Sequence, residues 1–221
     1  MNKNLMKIDK IIDDFCVKEP LLDKNKQMAK QAIRLIVDRI YKGAFIFTCG
    51  NGGSASDSMH IVGELRKKFL VERQLSSSDL EQLQSLGNDL EFFEKNLEKG
   101  IPAFSLCSEA AFFTAWLNDK NQDFVFAQQI FVLGRKGDLF FPLSTSGNSK
   151  NVCLAAKVAK AKGLKIISFT GARDSELSKL SDFCFRSSST STPFIQEDHI
   201  KLYHLLCYCM ETAIFSKNEK N

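Results

Sequence analysis

A chain of 221 residues that is 44% hydrophobic and 25% charged has enough apolar content for one sizeable core, and its net charge of +4 is spread along it. No basic stripe or arm marks a nucleic-acid partner, and no run approaches the roughly 18 apolar residues that a membrane helix needs. The opening MNKNLMKIDKIIDDFCVKEP carries acidic residues and no long apolar core, so it does not read as a secretory signal. Seven cysteines, an odd number in apolar contexts with no CxxC pair, point to reduced thiols in a cytoplasm.

Residues 3–18 place Leu5, Ile8, Ile11, Ile12 and Phe15 at helical spacing. Residues 22–41 do the same with Met28, Ala32, Ile33, Ile36 and Ile40; Pro20 separates the two helices and Gly43 ends the second. AFIFTC (44–49) then reads as a buried strand closed by glycine, and similar runs return at 102–107, 138–143, 164–170 and 182–187. Helices are expected between them at 55–69, at 108–133 in two pieces, at 148–162 and near 175–180. A strong helix from 196, ending between 215 and 217, closes the chain. Apolar strands alternating with helices predict an α/β fold. It is a doubly wound, mainly parallel five-stranded sheet flanked by helices, in one domain over 1–221 with two N-terminal helices within 1–43. Residues 71–100 break the rhythm and predict a helical insertion on the surface: an oligomer contact, a lid or a solvated appendage. Ser78 and Glu81 within it have the spacing of a capping box.

In open parallel sheets ligands sit beyond the carboxyl ends of the strands, where helix N-termini point. Two loops are composed for this. GNGGSAS (50–56) lets the backbone approach a ligand closely, and the amides opening the next helix favour an anion. STSGNS (144–149) offers the hydroxyls of Ser144, Thr145, Ser146 and Ser149 beside Gly147 and a helix start, a setting that suits a phosphate monoester. Neither loop is a dinucleotide fingerprint or a Walker loop. His60 and Glu64, four apart, share a helix face, which suits a shared metal or a base with its orienting partner; an ordinary surface pair has the same spacing. The other two histidines, His199 and His204, lie on the C-terminal helix downstream of Gln196, so all three sit on two helices that could face one site.

Taken together, CGNGGSASDSMHIVGEL, LNDKNQDFVF, GDLFFPLSTSGNSKNV, AKGLKIISFTG and IQEDHIKLYH resemble the sugar isomerase (SIS) domain family over most of the chain. More narrowly they resemble the sedoheptulose 7-phosphate isomerases, also called phosphoheptose isomerases. The resemblance implies an enzyme, an aldose–ketose isomerase of the cytoplasm. It would convert sedoheptulose 7-phosphate to D-glycero-D-manno-heptose 7-phosphate for bacterial surface heptoses, as in lipopolysaccharide. By the same likeness Ser144, Thr145, Ser146 and Ser149 hold the phosphate, and Asn51, Ser54, Asp119 and Gln196 contact substrate. His60, Glu64, Gln196 and His204 fall where relatives bind zinc, one divalent ion per site; Glu64 and His204 also fall where the proton-transfer pair is placed. The chemistry agrees. An enediol isomerisation needs a base, an acid and charge stabilisation at oxygen, which a carboxylate, an imidazole and a divalent metal supply.

Gln196 and His204 are eight apart, about 12 Å along a regular helix, whereas two ligands of one ion end about 3–4 Å apart. Either Gln196 precedes the regular helix or one of the two serves a neighbouring subunit, so the expectation is an oligomer with shared sites; the resemblance implies a homotetramer. The chain departs from the family's pattern at Lys68, where an arginine is common, and at Pro193-Phe194, where a polar pair is common. Two rivals follow from the same fold: a non-catalytic binding protein of the replication-initiation type, and an isomerase of another sugar phosphate. The first would lack the His/Glu helix pair that this chain keeps.

Overall fold

The computed structural model describes residues 2–19 and 25–216; Pro20, the predicted start of the second helix and residue 217 lie outside them. In chain order α1 (Asn2–Lys18) and α2 (Lys26–Tyr41) lead into β1 (Ile46–Cys49) and α3 (Gly53–Arg66). The insertion follows as α4 (Ser77–Leu83), a 3-10 segment (Gln84–Asp89) and α5 (Leu90–Asn96). Next come β2 (Ala103–Ser105), α6 (Ala110–Asp119), a 3-10 turn (Gln122–Phe124) and α7 (Val125–Leu133). The remaining elements are β3 (Leu139–Ser144), α8 (Lys150–Ala161), β4 (Lys165–Thr170), α9 (Glu176–Leu180), β5 (Phe183–Arg186) and α10 (Thr192–Phe215).

The five strands form one sheet in the order β2-β1-β3-β4-β5, every pair parallel. Strands covered on both faces have no polar side, which is why they read as continuous apolar runs rather than alternating ones. β3 shows the division. Leu139, Phe141 and Leu143 join a core with α1, α2, α3 and α10 (Ile12, Ile36, Leu65, Leu206), while Phe140 joins a second with α7, α8 and α9 (Ile130, Ala156, Leu177). Pro142 stands inside this central strand, a position proline rarely takes. Pairing to β4 runs Leu139↔Lys165 and Phe140↔Ile166, then resumes at Leu143↔Phe169, because Pro142 has no N–H to give.

The structure moves several predicted boundaries. The strand expected over 102–107 contracts to three residues at the sheet edge. α3 begins at Gly53, since Gly52 takes positive φ (54°) at the N-cap, and ends at Arg66 rather than 69. α10 begins at Thr192, with Pro193 in its first turn, where its fixed φ suits the helix and its missing N–H costs nothing. The capping box at the insertion is formed by Ser76 and Asp79, not Ser78 and Glu81: Ser76 precedes α4 with extended backbone, and its Oγ accepts from the Asp79 amide. No residue of α4, the 3-10 segment or α5 is buried within the chain, so the insertion stands on the surface and is held at its root. Five of the seven cysteines are buried: Cys16, Cys49, Cys153, Cys207 and Cys209.

His199 does not face a site. It is fully buried on α10, with Nε2 3.2 Å from the Thr170 carbonyl and the ring edge-on to Phe169. Burial pushes its pKa down to about 4, against small opposing effects of the Thr170 bond and the Asp198 carboxylate. The unfolded chain therefore binds a proton between about pH 6.5 and 4 that the folded chain does not, so stability falls as pH is lowered through that window. His199→Asn is expected to remove about 3 kcal/mol of this pH dependence. Urea midpoints measured from pH 7 to 4 check it; parallel profiles for the two proteins would contradict it.

Candidate active site

Both predicted loops lie at the carboxyl end of the sheet, on neighbouring strands β1 and β3. α3 leaves β1 toward one face and α8 leaves β3 toward the other, which makes this the topological switch point where such sheets bind ligands. An interaction not read from the sequence joins the loops. The amides of Asn51 and Asn151 bond reciprocally, each Nδ2 to the other's Oδ1 at 2.9 Å. Asn151 Oδ1 also accepts from the Val152 amide, so the first turn of α8 fixes where Asn51 stands.

In the second loop Ser144 is buried, and its Oγ accepts from the Gly147 amide (3.1 Å) and lies 3.0 Å from Ser149 Oγ. Ser146 Oγ accepts from the Asn148 amide. Gly147 has φ +65°, and a Cβ there would fall 2.1 Å from Ser175 Oγ, so only glycine fits. Thr145, Ser146 and Asn148 face a cavity of about 250 Å³ closed by Gly171, Arg173, Thr190 and Thr192. Arg173 is the residue here that sequence reading missed, since nothing in GARDS marks it as facing STSGNS. Another cavity, about 720 Å³, is lined by Phe45, Phe47, Phe104 and Phe112 together with Glu109, Gln129 and Arg135, and by no residue of either loop.

In the first loop Gly50 must be glycine because a Cβ would collide with Ser54 carbonyl oxygen at 2.4 Å. Ser54 is buried at the start of α3. Ser58, one turn on, accounts for part of the serine cluster structurally: its carbonyl accepts from Thr48 Oγ1 and its Oγ lies 2.8 Å from Ser105 Oγ. These bonds hold α3 against β1 and β2, and so set the direction in which His60 and Glu64 project.

His60 and Glu64 meet as predicted, Nε2 to Oε1 at 3.2 Å. His204 comes to the same place from α10, its ring centroid 5.1 Å from that of His60 and 5.4 Å from Phe69. Glu64 Oε2 and His204 Nε2 are buried without a hydrogen-bond partner, although Lys67 Nζ stands 3.6 Å from Oε2. Burial, then the nearby charge of His60, lowers the His204 pKa against the pull of Glu64, which favours the neutral imidazole. Two nitrogens and a carboxylate, two of their atoms unpartnered, fit a divalent ion such as zinc in donor chemistry. As they stand, no group of three or more His, Cys, Asp and Glu among the described residues is drawn to ligand spacing.

Gln196 and Asp119 are not brought to this cluster. Gln196 lies within regular α10, which removes the first of the two alternatives for its distance from His204. Its amide packs on Gly53, where a Cβ would fall 2.1 Å from Nε2, some two turns of α3 before His60. Asp119 is exposed at the end of α6, its carboxylate bonded to Asn118. Lys68 pairs with Glu72, which raises its pKa, and Phe194 is exposed.

A second group missed in the sequence clamps the far end of α3. Arg73 and Glu211 are buried together at 2.7 Å. Arg73 donates to the carbonyls of Glu64 (2.7 Å) and Leu65 (2.6 Å), and Glu211 accepts from the amides of Phe69, Leu70 and Val71. Orphan carbonyls at the end of α3 are thereby satisfied, and the root of the insertion is tied to α10.

Comparison with known proteins agrees with this fold. The SIS domain model matches residues 104–196. A phosphoheptose isomerase of Helicobacter pylori is 36% identical, covering 94% of this chain and all of the relative. One of Thermodesulfovibrio yellowstonii is also 36% identical, over 90% of this chain and 87% of its own. The solved phosphoheptose isomerase of Neisseria gonorrhoeae superposes with a TM-score of 0.67 at 26% identity, covering 94% of this chain and 92% of that one. The chain belongs to the phosphoheptose isomerase family of SIS-domain proteins.

Proposed function

We propose that the protein isomerises a ketose phosphate to an aldose phosphate through an enediol, with sedoheptulose 7-phosphate as substrate and D-glycero-D-manno-heptose 7-phosphate as product. The observation that carries the reading is the Asn51–Asn151 pair, which locks a hydroxyl-lined anion loop beside the helix that bears Glu64. Ser146, Thr145 and the amides opening α8 hold the phosphate; Ser144 shapes the turn, and Ser149 completes its hydroxyl set. Asn51 and Ser54, at the head of α3, meet the sugar hydroxyls.

At the far end Glu64 takes the proton from the carbon beside the carbonyl and returns it to the neighbouring carbon. His204, neutral and desolvated, exchanges the hydroxyl proton. A zinc ion held by His60, Glu64 and His204 would polarise the carbonyl oxygen; Glu64 and His204 would then move their protons only through atoms not bound to the metal. Gln196 joins this set if a second subunit bends the site across an interface, which is why we assign a homotetramer with shared sites. The protein would work in the cytoplasm, as one domain, for surface heptose synthesis; among the described residues no helix is long and apolar enough to cross a membrane.

A coupled assay with sedoheptulose 7-phosphate against a panel of ketose phosphates, with and without chelator, tests the activity. The seven-carbon substrate is expected to turn over best, and no turnover of any ketose phosphate would sink the proposal. Ser146→Ala is expected to weaken binding of the phosphate ester about tenfold. Unchanged affinity in calorimetry would remove the anion loop from the reading.

A further inference from the structure

Tyr203 adjoins His204 on α10 but points to the other side of the cluster. Its ring is buried, and its hydroxyl stands 2.9 Å from His60 Nδ1 and 3.3 Å from Asp57 Oδ1. Asp57 is also buried and lies on α3, one turn before His60; its Oδ2 has no partner. The four groups form a line: Asp57, Tyr203, His60 and, through Nε2, Glu64. The Tyr203 ring packs in the core with Leu202, Leu205 and Leu206, while its hydroxyl reaches the polar line.

A tyrosine hydroxyl has one proton to give. With Asp57 ionised the O–H goes to its carboxylate, and the oxygen is left to accept from His60 Nδ1–H. The ring is then held with Nε2 turned toward Glu64 and His204, and Nε2 carries the lone pair a metal ion needs. Ligating histidines commonly donate their other N–H to a carboxylate or carbonyl, and loss of that partner costs about 10–100-fold in metal affinity. Here a buried phenol stands between the imidazole and the carboxylate.

We propose that Tyr203 is a positioning residue which, anchored on Asp57, fixes the tautomer and orientation of His60 so that Nε2 is presented as a ligand. This rests on the divalent-metal reading of the His60, Glu64 and His204 cluster. Tyr203→Phe removes one oxygen and keeps the ring in the core, so the fold is retained, as a thermal melt would show. Zinc affinity, measured by competition with a chromophoric chelator, is expected to fall about 10–100-fold in Tyr203→Phe. Asp57→Ala is expected to show a similar loss, because the freed hydroxyl turns its proton to His60 Nδ1 and reverses the tautomer. The double variant is expected to be no weaker than either single one, as members of one chain are non-additive. In the zinc-loaded protein, nitrogen NMR of labelled histidine should show His60 protonated at Nδ1 only. Unchanged zinc affinity in Tyr203→Phe, or additive losses, overturns the relay while leaving the metal reading in place. A wild-type protein that takes up no divalent ion overturns both.

Discussion

Glu64→Gln is expected to lower turnover of the ketose phosphate by about 100- to 10,000-fold, the range that a positioned general base supplies. The Glu64 side chain is 12% exposed, with Oε1 beside His60 and Oε2 free of hydrogen bonds. In a carboxylate so placed, Oε2 is the oxygen free to take a proton. Glutamine keeps the shape and can still meet His60, but it cannot accept the proton from carbon. Phosphate-ester affinity, set by the loop at 144–149, should change little. The effect should therefore fall on kcat, and exchange of the substrate's C–H proton with deuterated solvent should vanish in parallel. A variant with kcat within twofold of wild type would remove Glu64 from the proton transfer.

The second large effect is on stability. Arg73→Met leaves Glu211 buried without its countercharge, and loss of one partner from a buried ion pair costs about 3–5 kcal/mol. For a chain of this size that is a fall in melting temperature of about 6–20 °C. Glu211→Gln should cost a comparable amount, because three backbone amides and Arg73 Nε lose an ionised acceptor. The double change Arg73→Met/Glu211→Leu should be milder than either single one, since no charge is left unpaired in the core. Calorimetry of the three variants checks the order; single variants melting within 3 °C of wild type would contradict it. Arg73 also donates to the Glu64 carbonyl, so the single variants should lose activity below their melting point as α3 loosens at its end.

Legibility followed the physics of each element. The five strands were readable because a parallel sheet covered on both faces must be apolar throughout, and even Pro142 did not hide β3. Helix ends were less so: α10 starts four residues before 196 because Pro193 serves the first turn, and Ser76 rather than Ser78 caps α4 because only Ser76 precedes the helix with extended backbone. His60 and Glu64 were legible as a pair because four residues make one helical turn. The insertion's polarity marked it as a surface excursion, and no residue of its two α-helices is buried within the chain.

The sequence by itself determined the fold class, the two ligand loops and the family, since these depend on local periodicity, on glycines at strand ends and on motifs of fixed spacing. Only the tertiary structure decided which polar groups meet. Asn51 with Asn151 spans 100 positions, Arg73 with Glu211 138, and Tyr203 with His60 143. Such pairs carry no local signal, because each half alone resembles an ordinary surface residue. Their meaning arises only when the fold brings distant segments together, at the surface for the asparagines and in the core for Arg73 with Glu211, where buried polar groups must find partners. The same packing separated the three histidines: His199 was drawn into the core as a neutral ring, while His60 and His204 were left edge to edge beside Glu64.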